Sequence, residues 1–460
     1  MNDKISLKVL MSVIAAGIMS FSGVIIETSM NITFPTLMKD FDINTSTVQW
    51  MTTIYLLVVS VVVPLSAILK RNFKTKPLFI TANLLFILGV LIDLIAPSFS
   101  LLIIGRLVQG LGTGIALPLM FNIILEQVPN KKIGLMMGVG NLITAIAPAV
   151  GPTFGGIVVS SIGWRYIFLI LLPILVISLI IGIFAIEQKS VVERTKLDFL
   201  SLILIVITFA GLVYGFSSMG SGSILSIKVL FPIIIGLIAL FALYRRSVRI
   251  DNPIVKLSIL RNSKFSGHVL AFFILQFITL GMSFILPNYV QIVNKQSAFI
   301  AGLVVLPGAA LGAVFAPLAG KIMDKVGAYK PILFGMLAGL IGLMLFAIFG
   351  THLSDAMILI FYLIYMFCLG LSFGNIMTSG LSTLSANDAS HGNAIFNTIQ
   401  QISGAISTSI ISAIVAISQM NPSYSKELGT AVGSEHGFIL LIILLLLAAF
   451  ILNKVVKKEK

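Results

Sequence analysis

Three ionisable side chains stand inside long apolar stretches of this 460-residue sequence: Glu27, Asp93 and Arg106. An ionisable group in a hydrocarbon environment costs about 2.5–3.5 kcal/mol on insertion scales, and such groups tend to be functional. Glu27 lies about 8 residues before the end of the first stretch and Arg106 about 6 residues into the fourth. At about 1.5 Å of rise per residue the two sit level, roughly 9–12 Å below the same surface. Asp93, near the end of the third stretch, is shallower on that side. Two readings follow. Burial favours the protonated carboxyl and a nearby guanidinium favours the charged one, so a carboxyl balanced between them can load a proton and release it. A bound cation would compete with that proton. Alternatively, Glu27 and Arg106 form a fixed ion pair that only holds two helices together, and Asp93 reaches its head group back to the surface.

A second chemical pattern is mechanical. Ala147-Pro148-Ala149-Val150-Gly151-Pro152-Thr153-Phe154-Gly155-Gly156 packs Gly and Pro into the fifth stretch. Small residues let helix backbones approach closely, and Pro removes backbone donors and permits a kink. This run is expected to form a close-packed seam between two halves of the molecule. Gln276, Asn375, Asn141, Asn397 and Gln401 lie at mid-stretch depth, where each faces either a cavity or a neighbouring helix. His268 falls near a stretch end, where an interfacial position is expected, and His391 in a loop. Met and Phe, 18 and 32 residues, suit a pocket for varied apolar ligands.

The elements that position these groups follow from composition. The chain is 58% hydrophobic and 10% charged, against about 45–50% and about 25% in ordinary soluble domains. Apolar stretches of about 20 residues recur throughout, and lipid requires every backbone group to be satisfied within its segment, so helices are expected. Fourteen spans are read, the first at 9–34, the fourth at 100–126, the fifth at 133–160 and the last at 436–454. With both termini on one side, 24 of the 30 Lys and Arg fall in segments on that side and 5 on the other, Arg106 being within a span. This bias makes the terminus side cytoplasmic. It also gives the net charge of +14 an orienting role rather than a nucleic-acid one. The first stretch lacks a small-residue cleavage pattern and reads as a retained span. The single Cys368 excludes a disulfide framework and a Cys-based metal site. No His/Glu metal cluster is visible, and no Gly-x-x-x-x-Gly-Lys-Ser/Thr loop that would bind ATP.

The chain also repeats itself weakly. Pro64-Leu65-Ser66-Ala67 ends span 2, Pro317-Leu318-Ala319-Gly320 ends span 10, and each precedes a short basic loop. Two homologous six-span halves, 1–186 and 265–460, are expected to flank an inserted helix pair and basic loop at 187–264; such repeats mark transporters.

On these spans the sequence resembles the fourteen-span drug:proton antiporters of the major facilitator superfamily, particularly multidrug exporters of low-GC Gram-positive bacteria. The resemblance covers essentially the whole chain. It rests on Glu27-Thr28-Ser29-Met30-Asn31 with Pro35, Gln49-Trp50 with Tyr55, Gly105-Arg106-Leu107-Val108-Gln109-Gly110, the span-5 Gly/Pro run, Leu197-Asp198-Phe199, Leu286-Pro287-Asn288-Tyr289 and Asn397 with Gln400-Gln401. It implies an all-α major facilitator fold of two six-helix bundles plus an inserted pair, working by alternating access as a proton-coupled exporter. Glu27, Asp93 and Arg106 would couple protons. Glu27, Asn31, Tyr55, Gln109, Asn141, Gln276, Asn288, Asn375, Asn397 and Gln401 would meet small hydrophobic cationic cargo. Gly151, Pro152, Gly155, Gly156 and Asp324 would gate. The expected protein is a monomer in the bacterial cytoplasmic membrane, driven by the proton gradient with no cofactor and no metal. In the loop after span 2 the family pattern has Asp where this chain has Arg71, whereas the second copy, Gly320-Lys321-Ile322-Met323-Asp324, is intact. The first half therefore departs from the family's charge latch. The alternative within transport is a dedicated exporter of one antibiotic, metabolite or lipid-like molecule. An enzyme would need clustered ionisable groups at the membrane face, a receptor an appended soluble domain.

Overall fold

In the computed structural model the described residues are 5–43, 45–48, 50–129, 132–188, 192, 198–218, 226–251 and 253–456. Some basic residues counted above, Lys131 and Lys189 among them, lie outside these. So do the side chains of Asn31, Asn141 and Pro152.

The elements are all helical. The first group is α1 (Leu7–Ile32), two short helices α2 (Phe34–Phe41) and α3 (Thr45–Val48), then α4 (Trp50–Asn72), α5 (Thr75–Ile95), α6 (Phe99–Gln127), α7 (Ile133–Ser161) and α8 (Arg165–Ala185). The pair α9 (Phe199–Ser217) and α10 (Ile227–Arg249) follows, with a 3-10 turn at Leu257–Arg261. The last group is α11 (Ser263–Ile292), α12 (Ala298–Val326), α13 (Tyr329–Ile348), α14 (Asp355–Leu381), α15 (Ala389–Gln419) and α16 (Lys426–Val455). Serine sets several helix starts: Ser98, Ser297, Ser354 and Ser425 each accept a first-turn N–H, at α6, α12, α14 and α16. Twelve of the described helices are long and apolar enough to cross a membrane. The described residues of α4 and α7 give shorter apolar stretches, Trp50–Ser66 and Ile133–Thr144. Leu, Ile and Phe point outward along α8, α10, α13 and α16, Phe184 and Ile227 among them. Such a surface needs lipid rather than water around it.

Within the first group α1 packs on α6, α7 and α8, and α5 bridges α6 and α8. Within the last group α11 packs on α14, α15 and α16, and α14 on α12 and α13. Two seams join the groups: α7 against α12 and α14, and α15 against α4 and α6. The pair α9–α10 lies beside the second seam, with α9 touching both α4 and α15.

The seams are tight on the side where α1 begins and α16 ends. Asp324, at the end of α12, accepts the backbone N–H groups of Gly134 and Leu135 at 3.1 Å each. These are first-turn amides of α7, which have no partner inside the helix and sit at its positive end. Nearby, a Cβ on Gly138 would lie 2.9 Å from Pro317 Cα, and closer still to the Ala316 carbonyl. At the other seam Asn393 Nδ2 donates to Pro118 O (3.0 Å) and Asn122 Oδ1 (2.8 Å).

Arg71 stands where an acid is expected, and the chain compensates with residues 253–262. Arg71 Nη2 donates to Pro253 O at 3.4 Å, Lys256 Nζ to Asp388 Oδ1 at 2.9 Å and Asn262 Nδ2 to Thr383 O at 3.2 Å. The Lys256 backbone N–H donates to His391 Nδ1 at 3.3 Å. Ile254 and Val255 are buried beneath these contacts. The two histidines depart from expectation. His391 is buried in the first turn of α15 rather than in a loop, and His268 is fully buried, bonded to Lys264 O and Ser379 Oγ. The Asp388 carboxyl is pushed up by partial burial, but bonds from Lys256 and Ser385 hold it below its ordinary value. A carboxyl lowered in this way stabilises above its ordinary range and loses its contribution as pH falls through the lowered value. Lys256→Met is expected to raise amide exchange in 253–262 at neutral pH by about ten-fold, the size of a charge-assisted bond near 1.4 kcal/mol. Unchanged exchange by mass spectrometry would show that the Lys256–Asp388 pair does not hold the segment, leaving Ile254, Val255 and the bonds from Arg71, Asn262 and the Lys256 backbone.

Candidate functional site

A cavity of about 1480 Å³ lies between the two groups of helices. It reaches Ser161 at the end of α7 and Gln291 at the end of α11, on the side away from the tight seams. One wall is amphipathic by spacing: Gln276, Thr279, Ser283, Pro287 and Gln291 recur at helical intervals on α11. Gln401, Gly404, Thr408 and Ser412 do the same on α15. Phe284, Tyr362, Met366 and Phe373 supply adaptable apolar surface. Among the described lining residues Glu27 is the only charged one.

Glu27 projects from α1 and has no hydrogen bond or ion pair among the described residues. Arg106 is fully buried behind it. The guanidinium lies 4.3 Å from the centroid of the Tyr55 ring, a cation–π contact. Its Nη1 donates to Gln109 Oε1 at 2.8 Å and its Nε to Met51 O at 3.4 Å; Nη2 has no partner among the described residues. Gln109 Nε2 in turn donates to Asp93 Oδ2 at 2.7 Å. Tyr55 is held by its hydroxyl, which donates to Gly23 O at 2.9 Å and shares a bond with Thr113 Oγ1 at 2.9 Å.

Glu27, Gln276, Asn288 and Gln401 therefore line one cavity, joined by Gly156. Other expected residues are placed elsewhere. Tyr55 and Gln109 are buried in the network around Arg106. Asn375 Nδ2 donates to Ala319 O and Leu371 O, and Asn397 Nδ2 to Asn393 O and Oδ1. At mid-depth an amide that finds a free carbonyl on its own or a neighbouring helix is already satisfied. Asp93 does not reach back to the surface; it is fully buried. No direct Glu27–Arg106 ion pair exists among the described residues, so the fixed-pair reading is also replaced. Gly151 and Gly155 do not form the seam between the two groups. Ser29 of α1 donates to Gly151 O at 2.8 Å, and a Cβ on Gly155 would lie 2.7 Å from Ser29 O. That contact is internal to the first group; the close backbone approach of α7 to α12 is at its opposite end, at Gly134 and Gly138, and of the Gly/Pro run Thr153 reaches α12, 3.0 Å from where a Cβ on Gly302 would lie. Thr279, Ser283, Gln291, Tyr362 and Thr408 line the cavity without having been singled out. The polar stripes on α11 and α15 were the signal for most of them.

The Major Facilitator Superfamily profile matches residues 14–408. The lincomycin resistance protein LmrB of Bacillus subtilis (strain 168) is 36% identical over 461 residues, covering 97% of this chain and 96% of that protein. A multidrug resistance protein B homolog of Mycobacterium tuberculosis (strain ATCC 25618 / H37Rv) is 29% identical over 401 residues, 86% of this chain and 74% of that one. Among solved structures, the proton:xylose symporter XylE superposes with a TM-score of 0.65 at 16% identity, covering 99% of this chain and 98% of that one. The human organic anion transporter MFSD10 does so with a TM-score of 0.65 at 12% identity, covering 95% and 99%.

Proposed function

Because this chain belongs to the Major Facilitator Superfamily, we propose that it is a proton-coupled multidrug efflux transporter of the fourteen-span drug:proton antiporter family. The observation that carries this is the cavity between the helix groups with one charged residue, Glu27, in its described wall. A lone carboxyl in an otherwise uncharged cavity can hold a proton or an organic cation, and competition between them at one site suffices for antiport. Breadth follows from size. At about 1480 Å³ the cavity exceeds the roughly 300–1,000 Å³ of pockets that enclose one drug-sized ligand, and Phe and Met side chains can repack around different cargo. The relatives named for lincomycin and multidrug resistance support an antibiotic-sized cargo.

In this reading α4 and α7 cross the bilayer with the twelve more apolar helices, making fourteen spans. The halves 1–186 and 265–460 rock about the cavity, and 187–264 is the insert. The protein works as a monomer in the bacterial cell membrane, without cofactor. The tight side is cytoplasmic, by its excess of Lys and Arg, and the structure is the outward-open member of the cycle. In everted membrane vesicles, acidification of the interior is expected to drive accumulation of the cation ethidium, and a protonophore to abolish it. Lys325→Cys should label only from the cytoplasm and Leu428→Cys only from outside. Accumulation indifferent to the pH gradient, or reversed labelling, would overturn the reading.

A further inference from the structure

We propose that Gln109 is a positioning residue that ties Asp93 to Arg106 as a fixed counter-charge, leaving the cavity carboxyl Glu27 unpaired and free to exchange its proton for cargo. The inference rests on the proton-coupled reading above and adds a division of labour between the two carboxyls.

A guanidinium sealed from water is costly unless an anion and hydrogen bonds compensate it. Arg106 is sealed, yet among the described residues neither Glu27 nor Asp93 forms a direct ion pair with it. The Gln109 amide stands between instead. Its oxygen accepts from Arg106 at 2.8 Å, and its nitrogen donates to Asp93 at 2.7 Å. The order is forced chemically. A guanidinium only donates and a carboxylate only accepts, so a reversed amide would set donor against donor and acceptor against acceptor.

The place is built for this bridge. Arg106 and Gln109 are three residues apart and share a face of α6. Asp93 comes from α5, which can approach only because the crossing lacks side chains. A Cβ on Gly105 would run into the Asp93 carboxylate, and one on Gly89 would lie 2.8 Å from Gln109 N. Asp93 Oδ1 and Arg106 Nη2 keep unused valence there. The titratable groups acting on Arg106 are Tyr55 from α4, Asp93 from α5 and Glu27 from α1, while Glu27 is acted on by Arg106. Tie Asp93 to Arg106, and the two form a neutral unit behind the wall. Glu27 is then the single uncompensated charge facing the cavity. Cut the tie, and Arg106 has Glu27 as its remaining anion.

The test uses the purified full-length transporter in detergent. Ethidium binding and the protons it releases are followed with a pH dye across pH. Asp93→Asn, an amide of nearly the same size, and Gln109→Leu should each shift the midpoint of proton release to lower pH by about 1–3 units, the effect of an adjacent Arg on a carboxyl. Proton release per ethidium should persist in both. An unmoved midpoint in either folded variant would show that Gln109 only packs. Loss of proton release in Asp93→Asn with ethidium binding retained would make Asp93 the exchanging group. Failure of the unsubstituted protein to release protons would overturn the proton-coupled reading itself. Infrared difference spectra on ethidium binding give an answer without touching Asp93 or Gln109. One carboxyl band is expected, lost in Glu27→Gln; a second, surviving band would overturn the proposal.

Discussion

Glu27→Gln is expected to abolish uphill efflux of cationic drugs and the proton release that accompanies their binding. The amide has the shape of the protonated carboxyl and cannot lose its proton, so the cycle stalls in one charge state. Binding of cations should weaken by about 2 kcal/mol or more, roughly thirty-fold, the lower end of what removal of one member of a desolvated charge pair costs. Neutral drugs lose no counter-ion and should change by less than a few-fold. The sharpest readout is the pH dependence of ethidium affinity, which should flatten in Glu27→Gln. Retained pH dependence would place the competing proton on another group. Because Glu27 has no hydrogen bond or ion pair among the described residues, its replacement should leave folding intact. Loss of folding would mean that the carboxyl holds α1 in place.

Gly138→Leu should act on the conformational equilibrium instead. The close approach of α7 to Ala316 and Pro317 leaves no room for a Cβ at 138, and overpacking of this kind costs about 1–3 kcal/mol. In alternating access that contact opens in the opposite state, so the cost falls on the outward-open state alone. The ratio of states should move by roughly 5- to 150-fold. Spin labels on Phe73 and Lys330, both exposed on the tight side and in different helix groups, should report a longer distance. Drug efflux should fall by at least about ten-fold, with ethidium binding in detergent retained. An unchanged distance distribution would mean that the α7–α12 contact persists through the cycle. Gly155→Leu, by contrast, pushes on α1 within one group and should reduce stability rather than redistribute the two states.

The helices were legible because lipid imposes a length and a composition on every span. The place of Glu27 in the cavity wall was legible for the same reason, as an acid in an apolar run is costly unless it faces a polar space. The roles of Gln109 and Tyr55 were not, since sequence gives residue type and depth but not azimuth. Each could have faced the cavity, and what turned them inward was a buried guanidinium beside them. The burial of Asp93 was not legible, because depth along a sequence is counted from the end of its own helix, whereas its burial comes from α6 crossing at Gly105. The polar stripes at 276–291 and 401–412 show what was available. A period of three to four in Gln, Thr and Ser, inside spans otherwise apolar, marks the wetted face of a helix. The Gly/Pro run of α7 signalled close packing correctly, but two neighbouring helices were compatible with it.

The stretch between α10 and α11 has a consequence for how such a chain can be remodelled. Its contacts with Arg71, Asp388, His391 and Thr383 make it a strut between the ends of α4, α14 and α15. The helix pair before it therefore cannot be treated as a removable cassette. Splicing α8 directly to α11 would discard residues 253–256 along with the pair. Lys70 would keep Glu126 as its partner, but Arg71 would face the start of α15 without the Pro253 carbonyl that now receives it. Asp388 would lose Lys256 in the same cut. A chain shortened in this way would have to replace both contacts in the same step.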